Sequence, residues 1–131
     1  MSEAEGRPAS HFELVGGEEG VRTLVDRFYD VMDEAEEAKG IRAMHAKSLE
    51  VSREKLFLFL VGWMGGPPLY GQKYGHPMRR ARHLPFPIGE AEAEAWMFCM
   101  NQAIDDHEMP DDLREYLRDR FTTVAAHMRN Q

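Results

Sequence analysis

The chain has 131 residues, 43% of them hydrophobic, which suits one ordinary domain with a sizeable core and excludes wholesale disorder. Sixteen Lys and Arg against 23 Asp and Glu leave a net charge of −7, which argues against nucleic acid and against a polybasic membrane surface as partners. One cysteine, Cys99, excludes an intrachain disulfide and a cysteine-rich metal site; with no secretory apolar region before Ser10 and no run long enough to span a bilayer, the expected compartment is the cytoplasm.

Residues 1–13 read as a leader, mobile over 1–11, that ends in the apolar pair Phe12 and Leu14. Gly16-Gly17 marks a turn. Val21, Leu24, Val25, Phe28 and Met32 then recur three or four apart, one stripe of an amphipathic helix. That helix is expected to run out in the acidic stretch Asp33 to Glu37 and to stop at Gly40. Ser48 or Ser52 is placed to cap the next element, which carries the apolar run Leu56 to Met64. Periodicity alone does not separate a buried strand from a helix here. Length and leucine content favour a helix, and apolar side chains on all sides make it central. It stops at Gly65-Gly66-Pro67-Pro68.

Residues 69–89 are punctuated, aromatic and basic, and read as an unusually long loop. Within them Pro85 and Pro87 push Leu84 and Phe86 into extended conformations, so His83 is held stiffly. A helix opens near Gly89 with Glu90 and Glu92 in its first turn, and its inner stripe is Trp96, Cys99, Met100 and Ala103. The last begins around Pro110-Asp111-Asp112 and carries Leu113, Tyr116, Leu117, Phe121, Val124, Ala125 and Met128. No segment reads as a strand. The predicted architecture is all-α, one domain over 1–131 with four main helices.

No phosphate loop, nucleophile elbow or His-Glu-x-x-His pair is present, and the six histidines lack tight metal-ligand spacing. A cofactor held by one histidine remains open. Haem needs a single axial imidazole, apolar walls and cations for its propionates. His83 beside Arg79, Arg80 and Arg82 suits that in type; a solvated basic turn is the plainer reading of the same residues.

Several segments carry a more specific signal. They are Arg27-Phe28-Tyr29, Met64-Gly65-Gly66-Pro67, the Tyr-Gly-Gln-Lys-Tyr-Gly-His-Pro run of Tyr70 to Pro77, Arg82-His83-Leu84-Pro85-Phe86-Pro87-Ile88, and Ala95-Trp96. In this order, from about Phe12 to Met128, the chain resembles the group II truncated haemoglobins of bacteria. The resemblance implies a two-over-two helical sandwich around haem b, iron protoporphyrin IX, with His83 as the proximal iron ligand. Tyr29 matches the distal tyrosine and Trp96 the tryptophan whose indole N–H reaches the ligand from the other side. As ordinary residues, both are core aromatics. His45 falls where the family places an aromatic residue or a histidine, and is equally a polar loop residue. Ser52 and Leu56 match the next two distal positions.

By the same resemblance Phe59, Leu60, Tyr70, Phe86, Ile88 and Met100 are haem-wall residues, for each of which a core role is as good a reading. Lys73, Tyr74 and Arg82 are placed to meet propionates, while Arg79 and Arg80 read as solvated. Cys99 reads as a small buried hydrophobe, His76 as a turn residue, and His11, His107 and His127 as surface. The acidic stretches 33–37 and 90–94 read as solvated faces.

The implied activity is reversible binding of O2, CO or NO. Nitric oxide dioxygenation, peroxide handling and gas sensing stay open, and electrons would come from an unidentified partner. A cofactor-free helical interaction module explains the stripes but not the rigid Arg-His-Leu-Pro-Phe segment. Between Ile41 and Val51 only Met44 and Leu49 are large and apolar, so this connector is expected to open cheaply and let His45, or else Tyr29, reach the iron.

Overall fold

In the computed structural model, which describes residues 10–74 and 89–128, helix follows helix and no strand occurs among those residues. Helix α1, His11–Val15, opens on a reciprocal cap: Ser10 Oγ accepts from Glu13 N at 3.1 Å, and Ser10 N donates to Glu13 Oε1 at 3.0 Å. Ser10 to Leu14 are therefore folded rather than the end of a leader. Phe12 N donates to the Met64 carbonyl at 2.9 Å, tying α1 to the end of the central helix. The predicted turn is present, with φ +112° at Gly16 and +69° at Gly17, which glycine adopts without steric cost.

Helix α2, Gly17–Glu34, buries the predicted stripe together with Gly20, Tyr29 and Val31. It ends at Ala35 rather than at Gly40. Asp33 and Glu34 at its C-terminal end oppose the helix dipole, and the chain turns extended at Ala35. A 3-10 turn, Glu36–Ala38, leads into α3, Lys39–Ala43, so Gly40 lies inside a helix.

Helix α4, Glu50–Trp63, is the apolar run, and it buries Phe57, Leu58, Leu60 and Val61. Leu49 occupies its cap position without a side-chain bond. Ser48 Oγ accepts from Glu50 N at 3.3 Å, whereas Ser52 sits inside the first turn and does not cap. The helix stops as expected, with Gly65 at φ +102° and Gly66 N donating to the Val61 carbonyl at 2.8 Å.

The long loop expected over 69–89 begins instead with a helix, α5, Leu69–Tyr74. Pro67 and Pro68 precede it, where a missing N–H costs nothing, and the Pro68 carbonyl accepts from Gln72 N at 3.1 Å. Helix α6, Glu90–Asp106, starts at Gly89, whose N–H donates to Glu92 Oε1 at 2.7 Å. It buries Ala93, Trp96, Cys99, Met100, Ala103 and Ile104. Helix α7, Asp111–Met128, buries Leu113, Leu117, Phe121 and Ala125. Tyr116, predicted on that stripe, is exposed at its edge and stacks on His11 with ring centroids 4.4 Å apart.

Helix α2 packs on both α4 and α6, and α6 packs on α7. Aromatic rings lock the layers: Trp63 of α4 lies 4.8 Å from Phe121 of α7, and Trp96 of α6 lies 5.2 Å from Phe28 of α2. Arginine–carboxylate pairs tie the rims, Arg22 to Glu54, Arg27 to Asp106 and Arg118 to Asp105. Among the described residues no helix is long and apolar enough to cross a membrane.

Candidate functional site

Tyr29 and Trp96 come from facing helices and meet the same ring. Phe28 lies edge-on to both, 4.8 Å from the Tyr29 ring and 5.2 Å from the Trp96 ring. Both residues are mostly covered, and among the described residues neither the Tyr29 hydroxyl nor the Trp96 indole N–H makes a hydrogen bond to the protein, whereas the fully covered polar atoms left without a partner are Asn101 Oδ1 and Arg118 Nε. A buried tyrosine or tryptophan normally finds a partner for its polar tip. Here the two donors flank one ring and stay available to a polar group that the protein does not itself supply. Burial pushes the Tyr29 phenol far above its ordinary pKa, with Cys99 adding to the rise and the Arg53 cation partly opposing it. Its O–H therefore stays protonated and able to donate.

His45 follows α3 and stands 6.0 Å from Tyr29, ring to ring and edge-on. Its Nδ1 lies 2.9 Å from the Ile41 carbonyl. A carbonyl only accepts, so Nδ1 carries the hydrogen of this bond. Ser52 and Leu56 are half-buried on α4.

The expected wall residues separate into two kinds. Leu60 and Met100 are almost wholly covered, at 1% and 0% exposure. Leu56, Phe59 and Tyr70 keep part of their surface, and Phe59 and Tyr70 meet edge-on at 6.0 Å. Lys73 is exposed on the last turn of α5, which Tyr74 closes. His76, Arg79, Arg80, Arg82, His83, Phe86 and Ile88 lie outside the described residues. Among the described residues no three histidine, cysteine or acidic side chains gather as a metal site.

Two arginines beside Tyr29 and His45, and one histidine at the α1–α2 corner, make contacts that the sequence does not announce. Arg53 of α4 donates to the Asp26 carbonyl at 3.0 Å and to Asp26 Oδ1 at 3.1 Å, and reaches Asp30 Oδ1 at 2.8 Å. This grips α2 on both sides of Tyr29, with the guanidinium 5.9 Å from the Tyr29 ring centre. The i, i+4 spacing of Asp26 and Asp30 is the one signal of it in the sequence. Arg42 reaches across the His45 connector, and nothing in the sequence points to it. His107, expected at the surface, is half-buried because its Nε2–H donates to the Val15 carbonyl at 2.8 Å.

A family model described as bacterial-like globin matches residues 10–130. The chain belongs to the bacterial-like globin family. It is 43% identical over 115 residues to the group 2 truncated hemoglobin YjbI of Bacillus subtilis, covering 88% of this chain and 85% of that protein. It is similar to the group II 2-on-2 hemoglobin structure from Agrobacterium tumefaciens, at 40% identity and a TM-score of 0.92, covering 100% of this chain and 99% of that one. The truncated oxygen-avid haemoglobin of Bacillus subtilis gives 40% identity and a TM-score of 0.82 over 93% of this chain and 100% of that one. The expected fold class holds: this globin is an all-helical two-over-two sandwich of the truncated kind. As a group II truncated haemoglobin it is a haem b protein. Tyr29 and Trp96, whose polar tips make no hydrogen bond among the described residues, are of the donor type that suits a small polar ligand of that cofactor.

Proposed function

We propose that this globin reversibly binds O2 and other diatomic ligands, CO and NO among them, at haem iron held by His83, with Tyr29 and Trp96 donating hydrogen bonds to the ligand. The observation that carries this reading is the pair of donors on α2 and α6, Tyr29 and Trp96, whose polar tips make no hydrogen bond among the described residues while their rings meet Phe28. Haem supplies the iron that takes the ligand. Tyr29 stays neutral because of its burial and offers an O–H. Trp96 offers an N–H that can only donate. In a low-dielectric pocket each bond to a partly charged ligand is worth about 1.5–3 kcal/mol, so the ligand leaves slowly.

Slow release suits chemistry on the bound ligand, such as nitric oxide or peroxide detoxification with electrons from a partner, better than bulk transport. The oxygen-avid relative from Bacillus subtilis accords with that direction. Leu56, Phe59, Tyr70, Phe86 and Ile88 form the wall in this reading, with Leu60 and Met100 supporting it from the core. Lys73, Tyr74 and Arg82 meet the propionates.

The purified protein is expected to show a Soret band and a ferrous-CO spectrum, and His83→Ala to lose stoichiometric haem. A colourless protein that takes up no haem when it is added would leave the helical interaction module as the reading. A His83→Ala variant with normal haem content and an unchanged ferrous-CO spectrum would remove His83 from the iron.

A further inference from the structure

Arg42, at the end of α3, makes three bonds across the connector that carries His45. Its Nε donates to Asp33 Oδ1 at 2.9 Å, Nη1 to the Ala46 carbonyl at 3.0 Å and Nη2 to the Lys47 carbonyl at 2.7 Å. Those carbonyls belong to the two residues that follow His45. On the other side His45 is held by its own N–H, which donates to the Arg42 carbonyl at 3.0 Å, and by Nδ1–H on Ile41. The Arg42 side chain is half-buried against partners at the surface, and three charge-assisted bonds from one planar group hold it in a single geometry. Met44 and Leu49 are the only large apolar side chains in the segment, and Leu49, in the core, anchors its far end, so the fork of Arg42 holds the stretch between. The bond of Nδ1 to Ile41 occupies that nitrogen, so Nε2 is the one a mobile His45 would bring to a metal.

We propose that Arg42 is a positioning residue of the ligand site: anchored on Asp33, it pins the two peptides after His45, keeps the imidazole beside Tyr29 and holds it off the iron. This rests on the haem reading above. It runs against the expectation of an easily opened connector: apolar anchors are scarce, but a polar brace supplements them. Only a planar fork can bond both carbonyls and the carboxylate at once; a lysine ammonium is a point charge and cannot.

The test uses the haem-loaded protein, with absorption spectra of the ferric and ferrous forms and hydrogen exchange of amides 44–49. Arg42→Ala is expected to speed exchange in that segment about tenfold or more. It is also expected to produce a six-coordinate low-spin fraction that the unaltered protein lacks and that Arg42→Ala with His45→Ala loses. Arg42→Lys should fall between, keeping the pair with Asp33 but not the fork. If the alanine variant does not fold, Arg42→Lys and Asp33→Asn read the same two signals. The proposal is overturned by unchanged exchange, by an unchanged spin state, by low-spin signal that survives the loss of His45, or by an unaltered protein already low-spin through His45. Absence of haem uptake in the unaltered protein would instead sink the haem reading, and the exchange experiment would still decide whether Arg42 is the brace.

Discussion

Tyr29 shows how one side chain serves packing and chemistry together. Its ring belongs to the core, 6% exposed and edge-on to Phe28, while its hydroxyl is without a partner among the described residues. Tyr29→Phe therefore removes a donor while leaving the ring contacts in place. The same holds in part for Trp96→Phe, which also shortens a ring packed 5.9 Å from Phe121. Each substitution is expected to raise the O2 dissociation rate about tenfold if its donor acts alone, and less if the two act as alternates. Stopped-flow displacement of O2 by CO measures this. A double variant whose off-rate stays within about a factor of two would show that neither donor faces the ligand. His45 enters differently. Its Nδ1–H is spent on the Ile41 carbonyl, so any part it plays beside Tyr29 falls to Nε2.

At the scale of elements, the corner between α1 and α2 is a tight joint. A Cβ added at Gly20 would lie 2.0 Å from the Val15 carbonyl oxygen, a backbone atom that cannot swing aside. That carbonyl also accepts from His107 Nε2, which ties the corner to the residue after α6. Gly20→Ala is thus expected to destabilise the protein by about 1–3 kcal/mol, read as a lower urea midpoint. His107→Ala should lower the midpoint as well, and the double variant should lose less than the sum, since both changes strike the same carbonyl. Full additivity would mean that the corner does not shift. Nothing at Gly20 betrays this in the sequence, where it is one more glycine near a helix start. Gly16-Gly17 and Gly65-Gly66-Pro67-Pro68 are legible because paired breakers leave no alternative to a turn. The end of α2 is not, because acidic residues stop a helix gradually and Gly40 is no stronger a breaker than the dipole mismatch before it.

For the molecule as a whole, hydrophobic period made the four main helices readable, and it placed Trp96, Cys99 and Met100 on the buried side of α6 before any contact was known. What stayed hidden is the polar bracing. Arg53 with Asp26 and Asp30 spans more than twenty residues of sequence, and Arg42 bonds mostly to backbone, which has no residue code.

The same core makes a prediction about alkaline stability. Cys99 is fully buried, and burial pushes its thiol from an ordinary 9.0 up to about 11. Below pH 9 the thiol is neutral in both folded and unfolded chains, and the protein has the full benefit of its apolar site. Between about 9 and 11 the unfolded chain releases that proton while the folded chain keeps it, so the unfolded state binds fewer protons and stability falls as pH rises. One pH unit inside that window corresponds to at most about 1.4 kcal/mol. The raised pKa of Tyr29 acts in the same direction, beginning above its ordinary 10.0. Urea midpoints from pH 8 to 10.5 should therefore decline, and Cys99→Ala should decline less steeply than the unaltered protein whatever its stability at pH 8. Equal slopes would mean that the folded thiol ionises as readily as the unfolded one, and that α2 and α6 admit water at Cys99.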